Sequence, residues 1–299
     1  MWLEGVGNSM AIAERLGELC TLARTVGWQA ADILLQVRLG EFEISGPSDS
    51  PVTTADLAAN QHILTMLQFQ LGTDHFAYLS EETFKTQAPE ERLGKDWVWI
   101  IDPLDGTKDY INNTGEYAVH IALVYRGRPV VAVVACPAMG KLYSAIVEKG
   151  AWVETQGGKP KPVKASRKRK LEEMILVASR SHRSPRLEAL LEKFTFESQI
   201  SIGSVGCKVA AIVDQSADLY ISLSGNSAPK DWDFAAPDLI LHEAGGMLTR
   251  FDKMPLLYNQ ADVNQWGGIL GSNGQTHRQF CQRLKKALSD IDRVSKGRG

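Results

Sequence analysis

The chain is 299 residues long, enough to bury a sizeable core in one large domain or in two lobes that share an interface, and two closely packed lobes are expected. With 44% hydrophobic and 23% charged residues it has the make-up of a soluble globular protein, and its formal net charge of −2 excludes a general attraction to nucleic acid or acidic membranes. Four scattered cysteines, Cys20, Cys136, Cys207 and Cys281, form no CxxC pair, which excludes a zinc ribbon or a disulfide framework as the organising device.

The first residues lack the basic start and unbroken apolar stretch of a secretory signal, because Glu14, Arg15 and Glu18 interrupt them, and Met10 offers an alternative start. Apolar spacing at Ile12, Leu16, Leu19, Cys20, Ala23 and Val26, then at Ala30, Ile33, Leu34 and Val37, predicts one or two opening helices. A further helix over 55–71 follows Thr54, with Leu57, Ile63, Leu64 and Leu67 on one face. From Phe76 the period shortens. Runs over 76–79, 97–101, 118–125, 129–135 and 142–147 are rich in β-branched and aromatic residues, and they predict a largely antiparallel sheet. The longest apolar run, Val130 to Cys136, is far shorter than the about 20 residues a membrane span needs, and a cytoplasmic enzyme is expected.

After Gly157-Gly158 the segment 159–170, KPKPVKASRKRK, has seven basic residues in twelve, which marks the expected boundary between a first lobe, 10–158, and a second, 159–299. Beyond it, strands over 175–178, 197–202 and 218–221 alternate with helices over 185–194 and 206–213. A helix over 234–244, a strand after Gly246, a strand over 267–271 and a last helix over 275–288 complete the chain. The fold class is therefore α/β, with an α+β first lobe and an α/β second lobe.

Chemistry concentrates in IDPLDGTKDY, residues 101–110. The residue before a proline is held extended, so Asp102 is expected at a strand end, with Pro103 and Gly106 reversing the chain and both carboxylates facing one space. An ordinary turn capped by Asp105 is the plain alternative. Acids recur at other element ends: Ser80-Glu81-Glu82 after a strand, and Thr54-Ala55-Asp56 and Asp231-Trp232-Asp233 opening helices. Gathered acids repel unless a cation sits among them, and oxygen ligands favour a hard divalent ion, Mg²⁺ above others. Spacing alone does not bring these positions together.

The segments WIIDPLDGTKDY and WDFAAPDLILHEAGG resemble the two signatures of the magnesium-dependent, lithium-sensitive phosphatases that include inositol monophosphatase and 3'(2'),5'-bisphosphate nucleotidase. The similarity runs in order from about Pro51 to Gly274. It implies a layered αβαβα sandwich, two or three Mg²⁺ per site and inhibition by Li⁺. It also implies metal ligation by Glu81, Asp102, Asp105, the Leu104 carbonyl and Asp233. Thr107 paired with Asp56 would position and deprotonate the attacking water, and the amides of Gly106 and Thr107 would cradle the phosphate.

Ala236-Pro237 followed by Leu239-Ile240-Leu241-His242 resembles the bisphosphate nucleotidase branch. So do Ser179-Arg180-Ser181-His182-Arg183 and Gly203-Ser204-Val205-Gly206-Cys207-Lys208, which imply that Arg180, His182, Ser204 and Lys208 bind substrate. The implied substrate is a small phosphorylated nucleotide, adenosine 3',5'-bisphosphate, converted to AMP, with its sulfated analogue as a second; an inositol or sugar phosphatase is the runner-up. The basic segment 159–170 admits a third reading, an RNA- or acidic-partner-binding protein. It has no interleaved aromatic residue for base stacking, so a solvated loop is expected there. Monomer and homodimer are both compatible with the sequence.

Overall fold

Strands with apolar residues at both parities need cover on both faces, and that requirement builds the layers of this protein. The computed structural model describes residues 12–48, 50–181 and 183–296; Met10 and His182 lie outside them. Strands β1 (Ile44–Ser45) and β2 (Val52–Thr53) form a short antiparallel pair. Seven strands then pair in chain order into one sheet: β3 (Phe76–Ser80), β4 (Trp97–Asp105), β5 (Ala118–Tyr125), β6 (Arg128–Cys136), β7 (Lys141–Ile146), β8 (Gly150–Thr155) and β9 (Lys161–Pro162). β3 and β4 run parallel, and each later neighbour is antiparallel.

The second sheet contains β10 (Ile175–Ser179), β11 (Ser198–Ile202), β12 (Leu219–Leu223), β13 (Met247–Arg250) and β14 (Gly268–Ser272), in the order β11-β10-β12-β14-β13. β11, β10 and β12 run parallel, and β14 pairs antiparallel with both β12 and β13.

Three buried clusters stack these sheets with helices into five layers. Helices Leu16–Leu39 and Thr54–Leu71 cover the outer face of the first sheet, where Leu19, Val26, Leu34, Ile63 and Leu67 meet Trp99, Ile121 and Val131. On its inner face Val98, Ile100 and Val134 share a core with Ile212 of helix Val205–Val213 and Leu239 of helix Asp231–Glu243. The same core takes in Val177 and Ile269 of the second sheet. That sheet is closed on its far side by Leu187 and Leu190 of helix Pro185–Leu191 and by Phe280 and Leu284 of helix His277–Lys296. The architecture is the αβαβα sandwich.

Several boundaries differ from expectation for identifiable reasons. The opening helix is one continuous span of 24 residues. β4 continues past Ile101 through both aspartates, so Asp102 does not end the strand. β8 and β9 were not anticipated; β9 arises within the basic run because Trp152 and Val153 offer it a partner edge, and Val163 and Ala165 just beyond it are buried. Pro237 removes one helical hydrogen bond, yet its helix runs to Glu243, held by buried Phe234, Ala236 and Leu241 between the two sheets. The last helix runs to Lys296 and reaches past the expected 288 because Ile291 still packs on the outer core. No helix among the described residues is long and apolar enough to cross a membrane.

Candidate active site

β4 carries two acids three residues apart, and a regular strand would point them to opposite faces. The ladder with β5 resolves this: Asp102 pairs with His120 and Asp105 with Ala118, so three steps on one strand match two on the other. The extra residue is a β-bulge, which shifts the alternation and turns both carboxylates to one side. A bulge is also where a sheet tolerates the missing N–H of Pro103. Gly106 then turns the chain with φ +93°, and an added Cβ there would lie 3.0 Å from the Glu116 carbonyl oxygen. Thr107 opens a helix of five residues, Thr107–Ile111.

Two helix starts bring further acids to this bend. Asp56 sits in the first turn of helix Thr54–Leu71, where its Oδ2 accepts from the Thr53 N–H at 2.7 Å and the Thr53 hydroxyl at 2.6 Å. This capping box leaves Oδ1 for Thr107, whose Oγ1 is 3.0 Å away. The same Oγ1 is 3.2 Å from the Leu104 carbonyl oxygen, so its one proton can be given to either acceptor. Asp233 occupies the equivalent position in helix Asp231–Glu243 and accepts from the Lys230 N–H at 2.5 Å. Asp102, Asp105 and Asp233 each place a carboxylate oxygen within 4.8 Å of the others. Glu81, at the start of helix Glu81–Phe84, lines the same cavity.

The electrostatics separate these acids. Burial and then the charges of Asp233, Glu82, Asp56 and Asp105 push Glu81 well above the usual carboxylate range, and burial with Glu81 and Asp105 does the same to Asp102. Burial and the charge of Asp105 raise Asp233 to about 6. Burial also raises Asp56, against the bonds from Thr53 and Thr107. Asp105 goes the other way: burial alone would raise it, but His120, Lys208 and Ser204 together hold it at about 2. Its Oδ2 accepts from the Ser204 hydroxyl at 2.5 Å and the Gly206 N–H at 3.0 Å, and lies 3.2 Å from His120 Nε2. Mutually repelling carboxylates with only oxygen donors fit a hard divalent cation, which would relieve the repulsion that raises Glu81 and Asp102.

The cavity has a volume of about 500 Å³ and is lined by Glu81, Asp102, Leu104, Asp105, Gly106, Thr107, Lys208 and Asp233 among others. Asp56 stands behind Thr107. Ser204 is fully buried behind Asp105, capping helix Val205–Val213 through the Cys207 N–H at 3.2 Å. Lys208 is buried as well; its ammonium donates to the Gly203 carbonyl and lies 5.4 Å from the centre of the Tyr220 ring. Burial lowers its pKa.

Arg180 is not brought into the wall. Its guanidinium reaches Asp109 at 2.5 Å and Glu116 at 2.7 Å, so it ties the end of β10 to helix Thr107–Ile111 and the loop that follows it. Sequence reasoning missed three features of the cavity: Lys108, Tyr220 and the segment 222–229, whose Ser222, Ser224, Asn226 and Ser227 form a neutral polar wall. Lys108 stood inside the quoted motif and could have been flagged as a cation beside Thr107. The segment 222–229 reads only as a turn-rich connection.

The chain matches the inositol monophosphatase family over residues 15–289. It is 34% identical over 248 residues to the 3'(2'),5'-bisphosphate nucleotidase CysQ of Escherichia coli K12, covering 81% of this chain and 93% of that protein. It is 36% identical over 242 residues to a 3'-phosphoadenosine 5'-phosphate phosphatase of Mycobacterium bovis, covering 78% and 81%. Among solved structures, CysQ of Bacteroides thetaiotaomicron superposes with a TM-score of 0.71 at 29% identity over 86% of this chain and 97% of that one. The extragenic suppressor protein suhB of Bartonella henselae shares the fold, with a TM-score of 0.73 at 21% identity over 91% and 98%.

Proposed function

The chain belongs to the inositol monophosphatase family, and within it we propose a Mg²⁺-dependent phosphatase that removes the 3'-phosphate of adenosine 3',5'-bisphosphate to give AMP. The observation that carries the chemistry is the meeting of Asp102, Asp105 and Asp233 within 4.8 Å beside the Thr107–Asp56 pair. The substrate rests on relatives above 30% identity, among them proteins named as a 3'(2'),5'-bisphosphate nucleotidase and a 3'-phosphoadenosine 5'-phosphate phosphatase.

Glu81, Asp102, Asp105 and the Leu104 carbonyl would hold cations from the first sheet, and Asp233 would hold one from the facing helix, two or three Mg²⁺ in all. Such ions lower the pKa of water, neutralise phosphate oxygens and stabilise the leaving alkoxide. Thr107 orients the attacking water: its Oγ1 takes the water proton while its own proton passes to Asp56 Oδ1, 3.0 Å away. Burial raises the pKa of Asp56 and makes it a better proton acceptor. The amides of Gly106 and Thr107, at the opening of a helical turn, would donate to the phosphate oxygens. Oxygen from water joins phosphorus, the bond to the 3'-oxygen breaks, that oxygen takes a proton from solvent water to become the 3'-hydroxyl, and AMP and phosphate leave. The reading extends to the sulfated analogue, to inhibition by Li⁺ and to a cytoplasmic enzyme.

Phosphate release from adenosine 3',5'-bisphosphate, its sulfated form, inositol 1-phosphate and fructose 1,6-bisphosphate, with Mg²⁺ and with or without Li⁺, tests the proposal. The bisphosphate nucleotide is expected to exceed inositol 1-phosphate in kcat/KM by about 100-fold, the worth of one charge-assisted contact at the upper end of its range. Equal or reversed rates would assign the site to inositol or sugar phosphates.

A further inference from the structure

Among the described residues three cations line the cavity, Lys108, Arg183 and Lys208, and two of them are engaged. Arg183 donates to Glu188 through Nε at 2.5 Å and Nη2 at 2.8 Å. Lys208 is buried, bonded to the Gly203 carbonyl and set over the Tyr220 ring. Arg180, close by, is held by Asp109 and Glu116. Lys108 differs from all three. It is half-buried, it follows Thr107 directly, and its ammonium has no ion pair or hydrogen bond to any described residue.

A nucleotide with two phosphates presents a second dianion once the first is seated among the carboxylates. That dianion needs a cation which is not already neutralised. The segment 222–229 offers hydroxyls and an amide suited to sugar or base edges, but no charge. Lysine is a compact charge on a flexible stem and serves as a phosphate contact without the fixed fork of arginine. We propose that Lys108 is a specificity-determining residue that meets the phosphate left on the product, so that the enzyme prefers bisphosphorylated over monophosphorylated nucleotides. This rests on the nucleotide reading of the site.

The test compares kcat/KM for adenosine 3',5'-bisphosphate and adenosine 3'-monophosphate, with Mg²⁺, in the parent, Lys108→Ala and Lys108→Arg proteins. One charge-assisted contact corresponds to about 10- to 100-fold. The bisphosphate-to-monophosphate ratio is therefore expected to fall by about 10-fold or more in Lys108→Ala, mostly through KM, and to recover most of the way in Lys108→Arg. Loss by the same factor on both substrates, or a ratio in Lys108→Ala equal to that of an active parent, would overturn the role of Lys108 alone. A parent that fails on the bisphosphate while turning over inositol 1-phosphate would overturn the nucleotide reading, and this role with it.

Discussion

Asp105→Asn is expected to lower kcat about a thousandfold while the protein still folds. Asp105 is the most acidic carboxyl of the cluster, held at about 2 despite burial, and so supplies a full negative charge to the cation site at any working pH. Asparagine keeps the shape but removes that charge, and electrostatic groups aimed at a transferring phosphoryl group are each worth factors of this order. The structural cost is smaller. One amide oxygen can still accept from the Ser204 hydroxyl or the Gly206 N–H, so the loss in stability is about 1–3 kcal/mol. Steady-state phosphate release and a thermal melt on the same preparation separate the two effects. A drop below tenfold would place Asp105 outside the machinery.

Gly206→Ala is expected to destabilise the fold by about 3 kcal/mol, the upper end for overpacking a filled core. Helix Val205–Val213 begins against β5 and β6 with no room for a side chain. A Cβ on Gly206 would overlap Nε2 of His120 outright, and would lie 2.8 Å from Val134 Cγ1 and 3.0 Å from Ala118 Cβ. His120 cannot easily yield, because it is fully buried and its Nδ1 lies 3.2 Å from the Trp232 carbonyl oxygen. The helix must retreat, which lengthens the bonds from Ser204 and Gly206 to Asp105. Urea unfolding reads the stability, and the folded fraction should also have lost activity. An alanine variant of parental stability would show that this seat is looser than described.

The acids of the candidate cation site drew notice in the sequence because they recur at the ends of expected elements. The apolar run Trp97–Ile101 predicted a strand, and the family resemblance named the acids behind it one by one. Their convergence was not legible, because it depends on one extra residue in β4 against β5, and a bulge leaves no trace in composition. Pro103 read as a turn for the same reason: extended geometry before a proline is compatible with either a strand end or a bulge.

Arg180 shows the other kind of limit. A basic residue at a strand end suggests ligand binding, yet its partners Asp109 and Glu116 come from helix Thr107–Ile111 and the loop after it, far earlier in the chain, and only the fold reveals that its charge is already neutralised. The basic segment was likewise only partly a free loop. Lys161–Pro162 extends the first sheet, Lys168 bonds Asp218 at 3.1 Å and Lys170 bonds Glu173 at 2.8 Å. Ser204 was recognisable as part of a small-residue turn, but its place behind Asp105 depends on how helix Val205–Val213 seats against the first sheet.

The account depends on acids from β4 and from helix Asp231–Glu243 holding divalent metal together. Mn²⁺, a hard ion that takes the same oxygen ligands and is countable by electron paramagnetic resonance, tests this without any substrate. The parent protein should bind at least one Mn²⁺ per chain, competed away by Mg²⁺, and Asp105→Asn should bind it at least about tenfold more weakly, the effect of losing one ligand charge. Equal binding by both proteins, or none by the parent, would contradict the site described for Asp102, Asp105 and Asp233.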